Sequence, residues 1–191
     1  MDLSMNEVEA QSRKAARGAG YSWGEAEDVG KAVRWLCQQG VDGCEHLAEL
    51  LLAGPDPTNC PIRLGIHLSD TARILKFNPM YFGLVSNPIL MVPFAASASA
   101  QIEQPLAINY DSWSAKVDRS AFEIAGEITR IAASAEVMTT AEPPKPSSLV
   151  SRTHPQTETW GTLSKFAHRT YAPATEESRI LGAGAGLSDN D

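Results

Sequence analysis

The sequence predicts an α+β fold, with N-terminal helices, a central antiparallel sheet and C-terminal helices. Three observations carry this. Apolar residues recur at helical spacing through residues 4–53, they alternate at period two in several stretches between 60 and 141, and helical spacing returns over 157–182. Helices, strands and helices in blocks, without βαβ alternation, place the sheet outside the doubly wound class. The 191 residues are 43% hydrophobic and 20% charged, enough for a single domain with its own core.

The first helix is expected over Met5–Arg17. Ser4 followed by Glu7 is a capping-box pattern, and Gly18 supplies a left-handed stop. Ser22 and Glu25 repeat the box, and the second helix runs to Gln39 before Gly40, with Ala26, Val29, Val33 and Leu36 on its apolar face. Asp42 and Glu45 suggest a third cap, with Leu47, Leu50 and Leu51 turned inward. Gly54-Pro-Asp-Pro breaks the helical pattern.

Strands are expected next. Ile62, Leu64 and Ile66 alternate, as do Leu106, Ile108 and Tyr110, and more weakly Ala135, Val137 and Thr139. Pro88-Ile-Leu-Met-Val-Pro is a short continuous apolar run of the buried-strand kind. Residues 122–133 fit strand or helix, with strand preferred, and a sheet of about four to six strands is expected. Glu142-Pro-Pro-Lys-Pro-Ser-Ser is an exposed loop or stiff linker. Trp160, Leu163, Ala167 and Tyr171 then mark one face of a helix ended by Pro173, and Thr175 caps a last short helix through Leu181.

The formal charge of -7 repels phosphate backbones, so nucleic acid is not an expected partner. Phe77–Ile102 carries no charged side chain, but Pro79, Pro88 and Pro93 interrupt it, which argues against a membrane span. Cys37, Cys44 and Cys60 are odd in number and lack a C-x-x-C pair, and the N-terminus lacks an apolar signal stretch. A cytoplasmic location is expected from both.

Chemistry is thinly written. Gly18-Ala-Gly20 and Gly182-Ala-Gly184-Ala-Gly186 lack the strand-turn-helix setting of a dinucleotide fingerprint, so no cofactor is expected. His46, His67, His154 and His168 show no zinc spacing, and no metal is expected. Nucleophile motifs are absent. The densest cluster surrounds Glu27, Lys31 and Arg34, which share one helical face. It reads either as a ladder of surface ion pairs or as an arginine held to grip an anionic substrate, with Trp23 as a wall.

The stretches AARGAG at 15–20, WGEAEDVGKAVRWL at 23–36 and RTYAPATEESRILGAGAGLSDND at 169–191 resemble a bacterial domain-of-unknown-function family (domain of unknown function 3726). The resemblance touches both ends of the chain, is weaker between them, and supplies positions rather than a mechanism. Those positions are Arg17, Gly18, Gly20, Trp23, Glu27, Arg34 and Trp35, and then Arg169, Tyr171, Arg179, Gly182, Gly184, Asp189 and Asp191. The resemblance implies an ordered C-terminal tail whose carboxylates lie near the arginines. On this basis an enzyme for a small polar or anionic metabolite would use Glu27 and Asp189 to move protons. Arg17, Arg34 and Arg179 would bind the substrate, and Trp23 and Tyr171 would shape the pocket. The alternative is a non-catalytic ligand- or partner-binding accessory protein, marked by an apolar patch at Trp113 or Trp160.

Overall fold

The structure, a computed structural model, describes residues 1–54 and 56–170. Its elements are β1 (Leu3–Ser4), α1 (Met5–Gly18), α2 (Trp23–Gln38), α3 (Gly43–Ala53) and α4 (Pro61–Asp70), then a 3-10 turn at Ala72–Lys76. β2 (Met80–Phe82), β3 (Val85–Ser86), a 3-10 turn at Pro88–Met91 and α5 (Val92–Ile102) follow. The chain continues through β4 (Leu106–Tyr110), β5 (Trp113–Val117), β6 (Phe122–Gly126), β7 (Ile131–Ala132), β8 (Ala135–Thr139), β9 (Arg152–Thr153) and α6 (Thr157–His168). The α+β class is borne out.

The first three helices start where short polar side chains can cap them. Ser4 and Ser22 accept from the backbone N–H of Glu7 and Glu25, whose carboxylates reach back to the cap N–H, and Asp42 accepts from the Glu45 N–H. Gly18 does not stop α1 by turning left-handed. It is the last helical residue, and the positive φ of 103° falls at Gly20. Gly18 is needed for a different reason: a Cβ there would stand 1.8 Å from the carbonyl oxygen of Phe166, so only glycine lets α1 and α6 meet.

Two expected strands are helices. Pro61–Asp70 is α4, whose buried positions Ile62, Gly65 and Leu68 are three residues apart. Ile62 and Ile66 satisfy both a period of two and the i,i+4 spacing of a helix, so the alternation was ambiguous, and Pro61 fits the first helical turn. The Pro88–Pro93 run is a 3-10 turn leading into α5. Its prolines stand at the starts of these two elements, where a missing N–H costs nothing. The segment from 60 to 141 is therefore mainly helical as far as Ile102, with only the short β2 and β3 between the helices, and strand-rich from Leu106 onward. Among the described residues no helix is long and apolar enough to cross a membrane.

The main sheet has five antiparallel strands in the order β2-β8-β4-β5-β6. Leu106, Ile108, Ala115, Val117 and Val137 point into the core, each large one worth about 1.5–3 kcal/mol on burial. α5 lies between this sheet and the helical layer and is buried along most of its length. Trp113 is not an exposed patch: it is 3% exposed and stacks on Tyr110 with centroids 4.3 Å apart. Trp160 is half-buried against the core. Two short ribbons, β1–β9 and β3–β7, fasten the periphery.

Candidate functional site

A cleft of about 360 Å³ opens between α2, α4 and α5, at the small end of metabolite sites. α2 presents Asp28, Lys31, Ala32 and Trp35, a stripe spaced i, i+3, i+4, i+7. α4 adds Ile66, Ser69 and Asp70, and α5 adds Pro93, Phe94, Ser97 and Ala100 from the other wall. Arg119, from the turn between β5 and β6, closes one end.

The walls are held by their neighbours. Trp35 leans on Phe122 at 5.3 Å, which fixes its ring. Phe94 fits against Gly65, where a Cβ would come within 2.4 Å of its ring. Gln101 Nε2 donates to the Ser69 carbonyl and hydroxyl at 3.1 and 3.0 Å, and the Ser69 hydroxyl donates to Ser97 at 3.2 Å, so α4 and α5 are laced together beneath the opening.

Charge sits on the rim. Lys31 lies 3.6 Å from Asp28, an exposed pair worth a few tenths of a kcal/mol. Arg119 and Asp70 are exposed and make no ion pair among the described residues. The cleft thus offers aromatic and aliphatic walls, two hydroxyls and charges of both signs.

The residues singled out in the sequence fall in different places. Arg17 and Trp23 meet: the guanidinium lies 4.9 Å over the indole and donates to the Tyr21 carbonyl at 2.8 Å, while Trp23 is 64% exposed. Arg34 points to α1, donating to Glu9 at 2.8 Å and Asn6 at 3.1 Å. The expected Glu27–Lys31–Arg34 ladder does not form. Lys31 pairs with Asp28, Arg34 with Glu9, and Glu27 stands exposed. Eleven helical residues, about 16 Å, separate Trp23 from Arg34, so Arg17 and Arg34 do not converge. Tyr171, Arg179, Gly182, Gly184, Asp189 and Asp191 lie outside the described residues.

A second polar cluster, absent from the sequence reading, surrounds His46 on α3. Arg130, 84 positions away, approaches the imidazole, and Asn87, in the left-handed region at φ 43°, lies beside it. Local sequence carries no signal for such a pairing. Among the described residues, no three His, Cys, Asp or Glu side chains are placed to share a metal ion.

Fold and cleft together define an α+β domain with a metabolite-sized, charge-rimmed opening. Residues 3–80 match the family described as Protein of unknown function (DUF3726), which bears out the resemblance to a domain-of-unknown-function family over α1 to α4. The first two resembling stretches and the α2 and α4 walls of the cleft lie inside that match, and the third stretch lies beyond it. No curated protein and no solved structure matches the chain.

Proposed function

We propose that the protein binds a small polar metabolite bearing an anionic group in the α2–α4–α5 cleft. Arg119 and Lys31 meet the anion, Trp35 and Phe94 hold the apolar body, and Asp70 faces a positive or hydroxyl group. The observation that carries this reading is the rim of Arg119 and Asp70, neither ion-paired among the described residues, on an apolar-walled cleft of metabolite size. Glu27, one turn before Lys31 on α2, is the acidic group proposed to handle protons should turnover accompany binding. Arg17 with Trp23 is a separate cation–aromatic surface, and Arg34, already neutralised by Glu9, contributes to it least. Arg179, Tyr171 and Asp189 complete the sequence-derived set as proposals.

The accessory-protein reading draws on another surface. Phe77 and Tyr81 are 83% and 72% exposed beside the edge strand β2, an apolar pair suited to a protein partner.

The test is a screen of small dicarboxylates, phosphate esters and amino acids by amide NMR. A ligand is expected to shift residues 28–35 and 93–100. Ala100→Trp, at an exposed position, should block the cleft without disturbing the core. Arg119→Ala should weaken binding about 10- to 100-fold, the loss of a charge-assisted hydrogen bond. Ligands that bind Ala100→Trp as well as wild type would remove the cleft from consideration. Turnover lost in Glu27→Gln with binding intact would establish the enzymatic step.

A further inference from the structure

His46 is 9% exposed and its Nδ1 lies 2.7 Å from Arg130 Nη1. A guanidinium only donates, so this short contact makes Nδ1 the acceptor and the imidazole neutral, with its proton on Nε2; Asn87 Oδ1, which would need a proton on the same nitrogen, stands farther off at 3.5 Å. A proton on Nδ1 would set donor against donor and cation against cation at that distance. Arg130 ties its own segment to two others. Its carbonyl accepts from the Asn87 N–H at 2.7 Å, and the next two residues form β7, which pairs with β3. Its guanidinium also lies 2.5 Å from Glu49 and 3.5 Å from Glu45 on α3. Glu49 Oε2 is buried with no donor aligned on it, so that contact is ionic and does not fix the guanidinium's direction.

We propose that His46 and Arg130 form a proton-operated latch, closed on α3 while the imidazole is neutral and released when it is protonated, freeing the 127–132 segment and its ribbon with β3. The groups facing the latch are Asp42 at the N-cap of α3, Glu45 and Glu49 on α3, Arg130 from the loop, and Asn87 just before the second 3-10 turn. Burial first, and then the Arg130 cation, hold His46 below its ordinary value, while Asn87, Glu45 and Asp42 oppose them. Burial outweighs Arg130 at Glu49 and lifts its carboxyl. The signs are opposite. The folded imidazole's value is depressed, so the closed latch is fully favoured above about pH 6.5 and loses ground as pH falls. The raised Glu49 carboxyl favours the fold at lower pH, so it cannot be the source of acid opening.

The experiment is a pH series from 7.5 to 5, following the His46 ring by NMR and hydrogen-exchange protection at the Asn87 amide and residues 127–132, corrected for intrinsic exchange. His46 is expected to titrate below about 6.5, and protection is expected to fall with the same midpoint. Arg130→Met should raise the His46 midpoint by removing a neighbouring cation. His46→Gln keeps an acceptor for Arg130 without a proton to gain, and should hold the segment protected throughout. Acid opening that persists in His46→Gln, or a wild-type His46 midpoint at or above the ordinary value, would overturn the latch.

Discussion

Replacing Gly18 by alanine tests how closely α1 and α6 approach. The added methyl would stand 1.8 Å from the Phe166 oxygen and 2.8 Å from its carbonyl carbon. Both are backbone atoms, and the oxygen already accepts from the Arg169 N–H at 3.0 Å, so no rotamer change relieves the clash. Carbon and oxygen meet at about 3.3 Å, so the helices must part by roughly 1.5 Å. That opens the seam that buries Ala15, Ala16, Leu163, Phe166 and Ala167. Overpacking of this kind costs about 1–3 kcal/mol, and the better helix propensity of alanine returns at most about 0.5–1 kcal/mol, less at a helix end. Gly161 is the control. It lies in α6 with nothing within 4 Å of its added Cβ, so Gly161→Ala should gain about 0.5–1 kcal/mol. Urea unfolding followed by circular dichroism reads both. With a slope near 2 kcal/mol per molar, Gly18→Ala should lower the midpoint by about 0.5–1 M. A Gly18→Ala midpoint equal to or above wild type would refute the close approach.

Other expectations come from single buried or pinned groups. Tyr110→Phe leaves the Pro88 carbonyl, now 2.9 Å from the buried phenol oxygen, without its donor, and should cost about 1–2 kcal/mol in the same assay. Tyr21→Phe loses only a contact to the Cys60 sulfur at 3.2 Å, a weaker partner, and should cost less. Asp111 is held below its ordinary carboxyl value chiefly by the Ala133 N–H, with Ser134 also donating to it. A depressed value contributes stability above about pH 4 that is lost as pH falls through the folded value. Asp111→Asn should therefore melt below wild type at pH 6, with the gap narrowing toward pH 2.5, and a gap unchanged by pH would count against this role.

The helix starts were legible because Ser4, Ser22 and Asp42 act locally, on N–H groups three residues away. The strands at 106–110 and 135–139 were legible because their alternation runs over five residues with one face buried. The reading failed at 62–66 and 88–93, where a few apolar letters fit two periods and tertiary burial decided between them. The β5 signal was present and unused: Trp113, Ala115 and Val117 alternate with Ser114 and Lys116 as in a half-buried strand. The cleft was half legible: its α2 stripe lies in the helix singled out for chemistry, but Phe94 and Arg119 come from distant segments. The ladder drawn through Glu27 and Arg34 ignored α1, whose Glu9 competes better for the arginine. His46 was visible as a letter, and its partner Arg130 was not.

The seam between α1 and α6 also has a history within each molecule. During synthesis α1 emerges long before its partner, and about 140 further residues must be added before α6 exists. At about 5–20 residues per second that interval is on the order of ten seconds. Throughout it, the face that Leu163 and Phe166 will cover has no native cover, and β2 likewise waits for β8. The segment that matches the family, residues 3–80, ends on the first residue of β2, so it lacks α5, α6 and the rest of the main sheet, which pack on its helices or complete β2. A nascent chain halted there would present an open apolar surface to chaperones, whereas completion of α6 would withdraw it.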